Sequence, residues 1–157
     1  MKSILTALCA ALFFGLTATA ANAQTSRKSV SATEVNGTFR MPFTGRFKGS
    51  SNEIKILALG GGKLHIAMSL LYPYIVNGEL SANMGDLDGE AAIVGDVAVY
   101  DSAENGTCTI TFKFVRPGTI KVTQEETEAG CGFGLNVTAA GTYKKISGAK
   151  PKFEAVK

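Results

Sequence analysis

Apolar and polar residues alternate along much of this chain. In "TCTITFKFV" (107–115), Cys108, Ile110, Phe112 and Phe114 share one parity, and Thr107, Thr109, Thr111 and Lys113 share the other. A period of two sends successive side chains to opposite faces of a strand, so the run predicts a strand with one buried face. Arg116-Pro117-Gly118 interrupts it and "TIKVTQ" resumes the alternation, which is hairpin patterning around turn residues. "NEIKILALGGGKLHIAMSLL" (52–71) repeats the arrangement around Gly60-Gly61-Gly62, with Leu64, Ile66, Met68 and Leu70 on one face. In "GEAAIVGDVAVYD" (89–101), Ala91, Ile93, Val97 and Val99 read as one face. Gly95 is then a bulge or bend, and Tyr100 lies on the opposite, partly exposed face. "CGFGLNVTA" (131–139) groups Cys131, Phe133, Leu135 and Val137, Thr142–Ile146 makes a last strand, and "NGTFRMPFTGRF" (36–47) starts the domain.

No long helical stripe and no internal repeat interrupts these runs. Short strands with turn signals every ~8–12 residues predict an all-β fold, a small antiparallel β-barrel or sandwich of about eight strands. It is expected to span residues 36–146 as one domain, with a flexible polar lead-in at 24–35 and a basic C-terminal tail at 147–157.

The first residues have a different pattern. Lys2, the apolar stretch Ile4–Leu16 and Ala21-Asn22-Ala23 match the three regions of a signal peptide, so residues 1–23 are expected to be removed on export. The apolar stretch is shorter than the ~20 residues a spanning helix needs, and no transmembrane segment is expected in the mature chain. Cys9 has Leu8 before it and most of the apolar stretch behind it, which is the wrong context for a lipid anchor.

Cleavage leaves two cysteines, Cys108 and Cys131. An even count in an exported chain reads as a disulfide, and both positions fall on the apolar parity of their runs. Closing that loop would contribute about 3 kcal/mol by constraining the unfolded chain. Two cysteines and one distant histidine, His65, make neither a zinc site nor a thiol–histidine pair.

Other candidate chemistry reduces to turns. Gly60-Gly61-Gly62-Lys63 lacks the spacing and the following helix of a phosphate loop. Asp86-Leu87-Asp88-Gly89-Glu90 resembles part of a calcium loop, but Met84 and Gly95 would stand where its first and last ligands belong, so a solvated turn is expected. His65 should face solvent opposite Leu64 and Ile66, and no serine or carboxylate is tied to it by a motif. No catalytic residue, metal site, cofactor or nucleic-acid partner is therefore expected.

Charge is segregated. Between Lys63 and Lys113 the chain has seven acids, Glu79, Asp86, Asp88, Glu90, Asp96, Asp101 and Glu104, and no lysine or arginine. Both flanking segments are basic. Acidic loops around Asp86–Glu90 and Asp101–Glu104, with Tyr100 as an aromatic anchor, would attract a cationic partner.

The run "GEAAIVGDVAVYDS…CTITFKF…GTIKVTQ…CGFGLNVTAAGTY" (89–145) resembles a module of lysozyme-inhibitor-like proteins of the bacterial envelope. Cys108 with Phe112, Ile120–Gln124, Cys131-Gly132-Phe133-Gly134 and Gly141-Thr142-Tyr143 carry the resemblance. It implies a small disulfide-bonded barrel that engages lysozyme through surface residues. The chain departs from that family in lacking a Ser-Gly-x-x-Tyr loop and in its net basic charge.

Two functions compete. The first is a periplasmic or secreted non-catalytic binding protein for a cationic protein such as lysozyme, acting through Asp86, Asp88, Glu90, Tyr100, Asp101 and Glu104. The second is a calycin-like carrier holding a small apolar ligand inside the barrel. A hydrolase lacks any catalytic set in the sequence.

Overall fold

A computed structural model describes residues 29–104, 106–125 and 127–153. The signal-peptide expectation at 1–23 lies outside them. Eight strands follow in order: β1 (Gly37–Pro42), β2 (Ser51–Gly60), β3 (Lys63–Val76), β4 (Glu79–Val94), β5 (Val97–Ser102), β6 (Cys108–Arg116), β7 (Thr119–Glu125) and β8 (Gly141–Ser147). Each pairs antiparallel with its neighbour, and β8 returns to β1 through Phe39↔Lys145 and Arg40↔Lys144. The sheet is therefore a closed up-and-down barrel, with no sandwich split.

An eight-stranded barrel is just wide enough for side chains to fill it. The inward parity does so: Phe39, Ile54, Ile56, Leu64, Ile66, Leu70, Ile110, Phe112, Ile120, Val122 and Tyr143 are fully buried and belong to one cluster. Outward positions of β6 are Thr109, Thr111, Lys113 and Val115, as the alternation predicts.

The two barrel ends differ. Gly61-Gly62, Gly95-Asp96 and Pro117-Gly118 join strands tightly at one end. Gly61, Gly62, Gly95 and Gly118 all have φ between +59° and +75°, which glycine adopts without a Cβ clash. A four-residue helix α1 (Ala32–Val35) sits at that end, where β1 begins. Ser31 and Glu34 form its capping box, and Val35 joins the core. The Lys145 ammonium donates to the carbonyls of Thr33, Glu34 and Asn36. Burial pushes its pKa down, and the Glu34 carboxylate pulls it partly back. Residues 29–35, expected as part of a flexible lead-in, thus include a capped, docked turn. In the C-terminal tail, Phe153 stacks on His65 with ring centroids 3.9 Å apart.

The opposite end has the long connections 43–50, 103–107 and 126–140, together with the β3–β4 arm. Here three expectations need correction. Residues 131–139 are not a strand: Cys131, Gly132 and Val137 donate into tight turns at Glu128, Ala129 and Gly134, and Gly132 and Asn136 have positive φ. Those turns break the period of two, so Phe133 and Val137 point inward while Leu135 is 66 % exposed. Asp86–Glu90 is not a turn either. It lies within β4, paired from Ser69↔Asp86 to His65↔Glu90. The calcium-loop-like composition reads as a solvated turn, but the acids alternate with inward Leu87 and Gly89 along a long ladder. Last, Gly95 is part of a true reversal, not a bulge or bend within one strand. The pair Ile93↔Ala98 flips parity across it, so Ala98 and Tyr100 turn inward and Val97 and Val99 outward.

Candidate functional site

β4 and β5 diverge soon after their turn. Their ladder holds only Ala92↔Val99, Ile93↔Ala98 and Val94↔Val97. Beyond it the strands splay, leaving a cleft of about 120 Å³ lined by Asp86, Leu87, Asp88, Tyr100, Ser102, Glu104, Gly130 and the Cys108–Cys131 disulfide. Two local features make this opening. The ring of Tyr100 lies over Gly89, where an added Cβ would fall 2.6 Å from Tyr100 Cε2, so a side chain there would displace the ring. The disulfide, with Cα atoms 4.7 Å apart, ties the start of β6 to the loop before β8 and forms part of the lining.

The same loop closes the barrel beside the cleft. Phe133 and Val137 pack over Gly85, where a Cβ would come within 2.8 Å of Phe133 Cδ1 and 2.9 Å of Val137 Cγ1. Gly134 N–H donates to the Met84 carbonyl, and Asn83 Nδ2 donates to the Leu135 carbonyl. On the edge of β4 away from β3, the Met84 carbonyl is thereby satisfied by the loop. Deeper in, the Tyr143 hydroxyl donates to the Ala139 carbonyl at 3.0 Å and is bonded to Asn52, whose Oδ1 accepts from Leu71 N–H. Desolvation pushes the Tyr143 pKa up to about 12, the Asn52 bond opposing the shift.

The structure divides the expected site residues into three groups. Asp86, Asp88, Glu104 and Tyr100 meet at the cleft. Tyr100 does so as a half-buried wall packed against the core, not as an exposed anchor. Glu90 points outward farther along β4 and pairs with Lys63 Nζ at 2.9 Å. Asp101 faces away, accepting from Thr109 Oγ1 at 2.6 Å beside the hollow of Ser102, Thr107 and Thr109.

Partners of the acids were missed by sequence reasoning. Asp86 accepts from Ser69 Oγ at 3.0 Å, and His65 Nε2 lies 2.7 Å from Asp88 Oδ1. Ser69, His65 and Lys63 stand on the outward parity of β3, a signal visible in the sequence once β3 and β4 are known to be partners. Exposed pairs of this kind contribute little to stability. Among the described residues no group of three or more histidine, cysteine or acidic side chains is arranged to hold a metal ion. No helix among them is long and apolar enough to cross a membrane. The arrangement can offer carboxylates to a positive group at the rim of a small polar opening. No family model matches the chain, and no curated protein or solved structure is significantly similar to it.

Proposed function

We propose that this chain is an exported, non-catalytic binding protein of the periplasm or cell exterior. It docks a cationic protein at the cleft between β4 and β5, and the resemblance of residues 89–145 makes a lysozyme the first partner to test. The convergence of Asp86, Asp88 and Glu104 on one opening carries this reading. These carboxylates come from a segment with no lysine or arginine, and among them Asp88 lies against His65. Clustered charge of one sign steers an oppositely charged partner and fixes its orientation more than it adds affinity. The leader-like first residues and the Cys108–Cys131 bond support an oxidising compartment. A carrier has less support, because the inward apolar side chains pack against one another as a single core.

The test is binding of the mature protein to immobilised c-, g- and i-type lysozymes at low and high salt, with a muramidase assay alongside. Binding should weaken as salt rises. The triple variant Asp86→Asn, Asp88→Asn, Glu104→Gln should associate about tenfold more slowly or worse. Binding that ignores both salt and the triple variant would sink the proposal, as would no binding to any of the three at low salt.

A further inference from the structure

The arm formed by β3 and β4 runs past the barrel wall. Its ladder continues to Val76↔Glu79, whereas β2 accompanies β3 only to Glu53↔Ser69. Asn77-Gly78 closes it, both with positive φ, as a two-residue hairpin turn requires. Both faces of the tip carry exposed apolar side chains. Ile75 and Leu80 face each other across the outer side, and Val76 stands opposite Glu79 on the inner side. Leu80 is 59 % exposed, and Ile75 and Val76 are exposed as well. Tyr72 and Tyr74 stand behind them, with ring centroids 6.5 Å apart. Between Leu70 and Asp86 the only charged residue is Glu79.

Strand addition is not what this arm is shaped for. Pro73 removes a donor from the β3 edge, and Gly134 already occupies the Met84 carbonyl on the β4 edge. Apolar side chains on opposite faces of one narrow tip need an occupant that surrounds it, and a flat protein surface would cover only one face. The ribbon beyond the buried Pro73 is roughly 10 Å long, by the strand rise. That matches the ~5–10 Å to which interfacial segments bury their apolar groups in a bilayer. Tyrosines behind an apolar tip sit where such rings prefer the water–lipid boundary. The β1–β2 connection at the same barrel end exposes Arg46 and Lys48, cations that suit lipid headgroups.

We propose that the tip of the β3–β4 arm inserts Ile75, Val76 and Leu80 into the surface of a lipid bilayer and holds the barrel against it. The proposal stands apart from the acidic cleft and requires no protein partner. Because the chain has no tryptophan, Leu80→Trp supplies a single fluorophore at the tip. With phosphatidylcholine vesicles, and with phosphatidylethanolamine–phosphatidylglycerol vesicles, its emission should shift to the blue and the protein should co-sediment. Ile75→Asp with Leu80→Asp should cut vesicle partitioning by about tenfold or more. Glu79→Gln should raise it, the reverse of its effect on a cationic protein partner. An intact disulfide and an unchanged melting midpoint would show that the double variant folds; otherwise Leu80→Trp and Glu79→Gln decide. An unshifted emission overturns the proposal. So does binding only to anionic vesicles that survives the double variant, which would assign it to Arg46 and Lys48. A wild-type dimer that the double variant dissolves would give the tip to a second copy instead.

Discussion

At one end of the barrel, strands are joined by Gly61-Gly62, Gly95-Asp96 and Pro117-Gly118; at the other, by loops of up to fifteen residues and a projecting arm. The tight end is specified by neighbours in sequence. Each turn needs one or two residues of the right conformational type, and the adjacent alternation does the rest. The long end is specified by contacts between residues far apart: Cys108 with Cys131, Gly85 with Phe133 and Val137, and Asn52 with Leu71 and Tyr143. At the first end the main long-range tie is the Lys145 ammonium bonded to carbonyls of α1 and Asn36. Distant contacts free the second from strand geometry, and the acidic cleft and apolar arm are both found there.

Breaking the long end should therefore cost more than disturbing the short one. Replacing Cys108 and Cys131 with serine should destabilise the protein by about 2–5 kcal/mol in denaturant unfolding. Amide exchange should accelerate most in 127–140 and least at Pro117-Gly118. Equal acceleration at both ends would show that the disulfide acts only through global stability.

Tyr143 offers a pH-dependent version of the same experiment. Its hydroxyl keeps its proton to about pH 12 in the folded protein, against 10.0 for an ordinary tyrosine. The stabilisation is complete below pH 10 and is lost as pH rises toward 12. The full loss is worth about 3 kcal/mol. Tyr143→Phe should flatten this part of the stability–pH curve, and an unchanged slope would detach Tyr143 from it.

Gly85→Ala should cost about 1–3 kcal/mol, because the new Cβ meets the Phe133 ring and Val137. Its melt should be accompanied by faster exchange at Gly134 N–H, which donates to the carbonyl of Met84, the residue before Gly85. Gly118→Ala, at the tight end, should cost about 1 kcal/mol through its φ of +72° alone, with no effect on the loop 127–140. Smallest of all should be Asp86→Asn, Asp88→Asn and Glu104→Gln together. They should move the unfolding free energy by no more than about 0.5 kcal/mol, since partly exposed charges contribute little to folding. A larger drop would mean the cleft is part of what holds the long end together.

The hairpins at Gly60-Gly61-Gly62 and Arg116-Pro117-Gly118 were legible in the sequence because period-two runs flank turn residues whose chemistry permits one solution. β6 was legible for the same reason. The Asp-Gly in β4 carried a turn signal equal to that of a real turn, and only its pairing with Ala67 and Ile66 overrides it. Tyr100 shows how one local choice propagates. Running one strand through Gly95 with only a bend keeps parity, whereas the two-residue turn Gly95-Asp96 flips every side chain of β5. Tyr100 is partly exposed as expected, but it stands on the inward parity, packed against the core. The charge segregation was plain in the sequence, but its consequence was not. Asp86, Asp88 and Glu104 meet because β4 and β5 separate, while Asp101, one residue from Tyr100, points the other way.

The sequence by itself determined the strand class, the pairing of Cys108 with Cys131 and the acidity of one segment. Each depends on residue type, parity or count, which a linear string carries in full. Tertiary structure alone decided that the sheet closes, that 131–139 leaves strand geometry to plug the barrel, and that β3 and β4 outrun their neighbours. These outcomes depend on which strands share an edge and on where a ladder stops. They are sums of many weak contacts between distant residues, and no short stretch of the chain encodes them.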